Sequence, residues 1–112
     1  MMMQQWRRSL LWPELAFALV AATASASAQE PVDAGRLASL VRQDCGSCHG
    51  LTLRGGLGKP LTSESLRAWD REQLVGIILD GVPGTPMPPW RALLSEDEAR
   101  WIAKQLQQGN MP

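Results

Sequence analysis

Tyrosine is missing from this 112-residue chain, phenylalanine and histidine occur once each, and there are only two cysteines. Each scarcity removes a class of chemistry. One imidazole and two thiols are a ligand short of a four-coordinate zinc site. Eleven basic and eleven acidic side chains cancel, with no basic stripe for nucleic acid and no polybasic cluster for anionic lipid. Alternating apolar and polar runs are absent, so strands are not expected, and no internal repeat is visible. The acidic residues sit mostly near helix starts or on polar faces, where solvated caps explain them better than acid–base catalysis does.

Residues 1–28 read as a secretory leader. A short cationic start, Trp6-Arg7-Arg8, precedes a run of mostly Leu, Ala, Val and Phe that closes on the small-x-small pattern Ala26-Ser27-Ala28. Pro13 and Glu14 interrupt that run, against the roughly 20 predominantly apolar residues of a membrane-spanning helix. The twin arginines read as ordinary n-region charge. Cleavage after Ala28 leaves one small domain, 29–112, with no stable membrane anchor. A core of that size commonly needs a cofactor, metal or disulfide to reinforce it.

Within 29–112 three main helices are expected. Asp33 can cap the first, with Leu37, Leu40 and Val41 on one apolar stripe and an end near Asp44, where Gly46 loosens the chain. A short turn is expected around Glu64 to Trp69. The second helix starts at the capping box of Asp70 and Gln73, buries Leu74, Ile77 and Ile78, and stops at Gly81. The third starts at Ser95 and Glu98, buries Ile102, Ala103 and Leu106, and closes at Gly109. Between them lie two long Gly/Pro-rich loops, 51–61 and 82–94, of a length that is usually functional in a small domain. A flat cofactor held between them would account for both.

The chemistry concentrates at Cys45-Gly46-Ser47-Cys48-His49, the C-x-x-C-H pattern of covalent haem c attachment. Two intervening residues let one turn present both thiols to adjacent vinyl groups of a single porphyrin, and the next residue falls under the iron. A thioredoxin-like pair would need neighbouring strands, which the pattern lacks. A simple disulfide remains chemically allowed. With one histidine and no tyrosine, methionine is left for the other iron position. Met1, Met2 and Met3 belong to the leader and Met111 to the tail. Met87, stiffened by Pro86, Pro88 and Pro89, is therefore the second axial candidate. Imidazole plus thioether raises an iron's reduction potential and leaves no open position, which suits electron transfer rather than catalysis.

Several segments extend this pattern: Asp44 to Leu53 around the motif, Gly55-Gly56-Leu57-Gly58, Ile77-Ile78-Leu79-Asp80-Gly81, Pro83 to Trp90 and Leu94-Ser95-Glu96. Together they resemble class I cytochromes c, and more narrowly the NirC-type small cytochromes c found beside cytochrome cd-type nitrite reductases. The resemblance implies an all-α, class I cytochrome c-like fold around one covalent haem c. It implies residence in the periplasm in denitrification, and a mono-haem carrier rather than an enzyme. Its electrons would come from an upstream quinol-oxidising donor. They would go to the nitrite reductase, or the carrier would serve the proteins that mature that enzyme's d-type haem. The alternatives are an enzyme or maturation component acting on haem d precursors through an open iron position, and a haem-free C-x-x-C disulfide or metal protein.

Two departures stand out. Class I chains commonly carry Gly-Pro-x-Leu after the motif, whose backbone carbonyl orients the histidine; here the order is Gly58-Lys59-Pro60-Leu61, so the orienting carbonyl is open. The glycine and aromatic that many class I chains pack between first and last helix correspond to Leu37 and Val41, with Trp101 a candidate for the aromatic. Trp69, Trp90, Arg54, Lys59 and Arg91 are donors suited to haem propionates. N-terminal sequencing of the exported protein should begin at Gln29, with a mass that exceeds the polypeptide by one haem. A chain still starting at Met1 would remove the leader reading.

Overall fold

The computed structural model describes residues 30–111, so the leader 1–28 lies outside the described residues. Among those residues the regular structure is helical throughout: α1 Ala34–Leu40, a π-helical turn Val41–Cys45, α2 Gly46–His49, α3 Ser63–Leu66, α4 Arg71–Asp80 and α5 Glu96–Gln108. The three main helices are present, but the first does not stop near Asp44. Asp33 caps it, its side chain accepting from the Arg36 N–H at 3.0 Å. The helix then widens by one residue, the Gly46 N–H reaching the Val41 carbonyl, and carries on through His49. Gly46 is buried and helical rather than a loosened joint. An inserted residue rotates everything after it by about 100°, the angular step of a helix.

Leu37 and Val41 on the first helix, and Ala99, Ile102 and Ala103 on α5, are almost wholly shielded and belong to one core. Where the family's first helix carries a glycine, this one carries Leu37, and the small residues allowing close approach are Ala99 and Ala103 of α5. Trp101 is half-buried: it packs against the core and also lines a surface groove with Val32, Arg71 and Lys104.

Both expected capping boxes form. Asp70 accepts from the Glu72 and Gln73 N–H groups while Gln73 accepts from the Asp70 N–H, and Ser95 and Glu98 reciprocate in the same way. The buried face of α4 differs from expectation: Leu74, Val75 and Leu79 are buried, whereas Ile77 and Ile78 are half-buried. The α4–α5 contact, the most extensive in the fold, rotates the helix so that Val75 rather than Ile77 points inward. The short turn α3 starts before Glu64 because the Thr62 hydroxyl accepts from the Ser65 N–H at 3.2 Å.

Exposed ion pairs connect the helices. Arg100 places Nε and Nη2 on the two carboxylate oxygens of Glu72, at 2.9 and 3.0 Å, joining α5 to α4. Arg36 pairs with Glu98, joining α1 to the start of α5. The backbone N–H of Ser95, followed by Arg36, holds the Glu98 carboxyl below its ordinary range. A depressed folded-state value adds stability above the unfolded value of about 4.3 and loses it as pH falls through the folded value. Acid titration of the melting temperature should therefore show a smaller loss on the acid side for Glu98→Gln than for the parent. Ser95→Ala should cost about 1 kcal/mol at neutral pH. Parallel acid curves for parent and Glu98→Gln would show that the pair does not act this way.

Candidate functional site

Cys45 closes the π-helical turn, and Cys48 and His49 follow on α2, so one stretch of helix carries both thiols and the imidazole. The thiols are half-buried and unbonded to each other. Burial, and next the charge of Asp44, pushes the Cys45 thiol up to about 11. A thiol-exchange pair works through a thiolate near neutrality, which the burial of Cys45 disfavours. Among the described residues no group of three or more His, Cys, Asp or Glu side chains is placed to hold a metal ion.

The loop after the motif folds back over it. The Gly58 and Gly55 N–H groups donate to the carbonyls of Cys48 and His49 at 2.7 and 2.8 Å. Leu53 anchors the loop in the core, 6% exposed, although its φ of 60° is rare for a residue with a side chain. Its N–H donates to the Gly50 carbonyl, and its carbonyl accepts from the Leu61 N–H, both at 2.8 Å.

This folding brings the Lys59 carbonyl 2.6 Å from His49 Nδ1. A carbonyl can only accept, so Nδ1 carries the proton and Nε2 keeps its lone pair. The displaced proline keeps a role. Pro60 restricts the residue before it to extended backbone, which aims the Lys59 carbonyl. Gly58 completes the seat, since a Cβ there would fall 2.7 Å from His49 Nδ1 and 2.8 Å from Cε1.

Met87 lies half-buried in the loop between α4 and α5. The last carbonyls of α4 have no partners within the helix. Those of Ile78 and Leu79 accept from the Trp90 and Arg91 N–H groups, both at 3.1 Å. Arg91 also donates from Nε and Nη2 to one Asp80 oxygen, at 2.9 and 2.7 Å. Of the suggested propionate donors, Arg91 is thus committed to Asp80. Gly81 has φ 66°, and a Cβ there would meet the Met87 carbonyl oxygen at 2.7 Å. Sequence reasoning noticed the prolines of this loop but missed the Asp80–Arg91 pair and Thr85. Aspartate at the last turn of α4 with arginine at the far end of the loop was the available signal.

The large exposed apolar side chains Leu51, Leu57, Val82 and Leu93 all belong to the two loops, and Trp69 follows α3. Apolar surface concentrated on the two loops, together with paired free thiols and an imidazole of fixed tautomer, fits an apolar, thiol-attached macrocycle. Such a fold and donor set define a c-type cytochrome.

Known proteins agree. Residues 32–105 match the family described as cytochrome C oxidase, cbb3-type, subunit III. Cytochrome c55X of Paracoccus denitrificans is 54% identical over 92 residues, which span 82% of this chain and 89% of that one. The solved c-type cytochrome NirC is 55% identical with a TM-score of 0.68, covering 69% of this chain and 91% of that one. Dihydro-heme d1 dehydrogenase NirN, solved in complex with DHE, is 35% identical with a TM-score of 0.59, covering 63% of this chain but 15% of NirN. The chain belongs to the cytochrome c55X family of small, NirC-type c-type cytochromes. Its members are electron carriers rather than enzymes, and their cofactor is covalently bound haem c.

Gly58→Ala should push the His49 ring off its seat. A loss of roughly 1–3 kcal/mol is expected from the added methyl group, with displaced imidazole resonances in the NMR spectrum. A variant with parental melting temperature and unshifted His49 signals would show that the ring does not rest on Gly58.

Proposed function

We propose that the protein is a periplasmic single-electron carrier of denitrification. In this reading Cys45 and Cys48 form the thioethers, and His49 Nε2 and Met87 Sδ are the axial ligands. Residues 1–28 are the export leader. The observation that carries the ligand assignment is the His49–Lys59 hydrogen bond, which leaves Nε2 as the free donor beside two unbonded thiols. When bound, haem c supplies a one-electron couple at iron. The chain's own residues set the terms of that couple. The Lys59 carbonyl makes His49 a stronger donor by drawing on its Nδ1 proton. A thioether opposite favours the reduced state and closes the remaining position.

The pathway assignment leans on the likeness to NirC. The carrier delivers electrons from a quinol-oxidising donor to the cytochrome cd-type nitrite reductase, or accepts electrons during maturation of that enzyme's d-type haem. The likeness to NirN favours the maturation branch as a second reading. It spans 15% of that chain, so it carries no dehydrogenase activity over to this one. Among the described residues no helix is long and apolar enough to cross a membrane. Encounters of such carriers are small and short-lived.

Stopped-flow mixing of the reduced holoprotein with the nitrite reductase, and separately of the oxidised holoprotein with a haem d precursor-oxidising enzyme and its reduced precursor, tests the assignment. Reoxidation of the carrier in the first mixture, or its reduction in the second, within seconds is the expected result. Rapid exchange with other redox partners but with neither of these would remove the pathway and keep the carrier. The ferrous protein should bind carbon monoxide slowly, and Met87→Ala should bind it readily. Ready binding by the parent protein would favour the open-iron alternative.

A further inference from the structure

The backbone of the Met87 loop is poor in donors. Pro83, Pro86, Pro88 and Pro89 have no N–H, so few backbone groups between Val82 and Pro89 can hold the loop in shape. The Thr85 N–H turns back to the Val82 carbonyl at 3.2 Å. Met87 has both its own peptide groups engaged inside the loop. Its carbonyl accepts from the Val82 N–H at 3.2 Å. Its N–H, the one donor between Pro86 and Pro88, donates to Thr85 Oγ1 at 3.3 Å. The same hydroxyl donates its proton to the Val82 carbonyl at 2.7 Å. One side chain thus ties the start of the loop to Met87, using the donor and an acceptor of a single oxygen.

The surroundings leave this tie little competition. Downstream, the loop is pinned to α4 through Trp90, Arg91 and Asp80. Upstream, Gly81 permits the close approach of the Met87 carbonyl. Between these two anchors, Thr85 is the only residue whose side chain makes a hydrogen bond among those described for the loop. Thr85 is itself exposed and contributes nothing to the core. Its hydrogen bonds, rather than its packing, are what it offers.

We propose that Thr85 is a positioning residue for Met87. Its hydroxyl fixes the peptide from which the thioether reaches toward the iron, and so sets how firmly that thioether competes with outside ligands. The inference rests on Met87 being the axial ligand. A weaker thioether removes stabilisation of the reduced state, so loosening the tie lowers the reduction potential.

The test uses the holoprotein and three variants, Thr85→Val, Thr85→Ser and Met87→Ala. The readouts are the reduction potential, the methionine–iron charge-transfer band of the ferric state, the rate of cyanide binding and the melting temperature. Thr85→Val deletes both hydrogen bonds at nearly constant volume. It should lower the potential, weaken the band and speed cyanide binding by about tenfold, the factor expected for a lost hydrogen bond of ordinary strength. Thr85→Ser keeps the hydroxyl and should return all three to parental values. A Thr85→Val protein that differs only in melting temperature, or a Thr85→Ser protein as perturbed as Thr85→Val, overturns the proposal while leaving the Met87 assignment standing. If Met87→Ala itself keeps the parental band and cyanide rate, the assignment of Met87 fails and the proposal falls with it.

Discussion

The hydrogen bond from His49 Nδ1 to the Lys59 carbonyl is the constraint around which the rest of the site is organised. It selects one tautomer of the only imidazole in the chain and leaves the other nitrogen free. To make it, residues 50–59 must double back over the motif, which uses the carbonyls of Cys48 and His49 as acceptors and forbids a side chain at position 58. Pro60 aims the acceptor, and Leu53 anchors the loop in the core despite an unfavourable φ.

The helices supply a frame for two loops that would not hold themselves. A core built on Leu37, Val41, Leu79, Ile102 and the alanines of α5 fixes where the loops begin and end. The Arg100–Glu72 pair between α5 and α4 is exposed, and pairs of that kind add little stability each. Loop geometry is therefore set by hydrogen bonds made to backbone groups within and beside the loops. The Trp90 and Arg91 N–H groups finish the C-terminus of α4, and Thr85 and Val82 hold the Met87 peptide. The exposed leucines on both loops fit a domain whose apolar face is completed by a bound macrocycle rather than by more polypeptide.

Local signals were readable wherever a few adjacent residues decide the outcome. Asp70 with Gln73 and Ser95 with Glu98 mark two helix starts because a cap is a contact within four residues, and Gly81 and Gly109 mark the stops for the same reason. The C-x-x-C-H spacing was equally legible, being a property of one turn. The first helix misled, because Gly46 reads as a breaker while the chain widens at Val41 and stays helical through it. Ile77 misled as well: periodicity gave α4 an apolar stripe, and packing against α5 rotated the buried face toward Val75 and Leu79.

The amino-acid order alone was enough to determine the class of chemistry: two cysteines three positions apart with histidine next. These are matters of residue type and short covalent distance, which every conformation of the chain shares. Which carbonyl meets His49, whether Arg91 is free or tied to Asp80, and which group receives the Met87 N–H were decided only in the folded molecule. Those pairings join positions on different segments or across a loop closure. Their geometry depends on how the core sets the loop ends, and no local pattern encodes it.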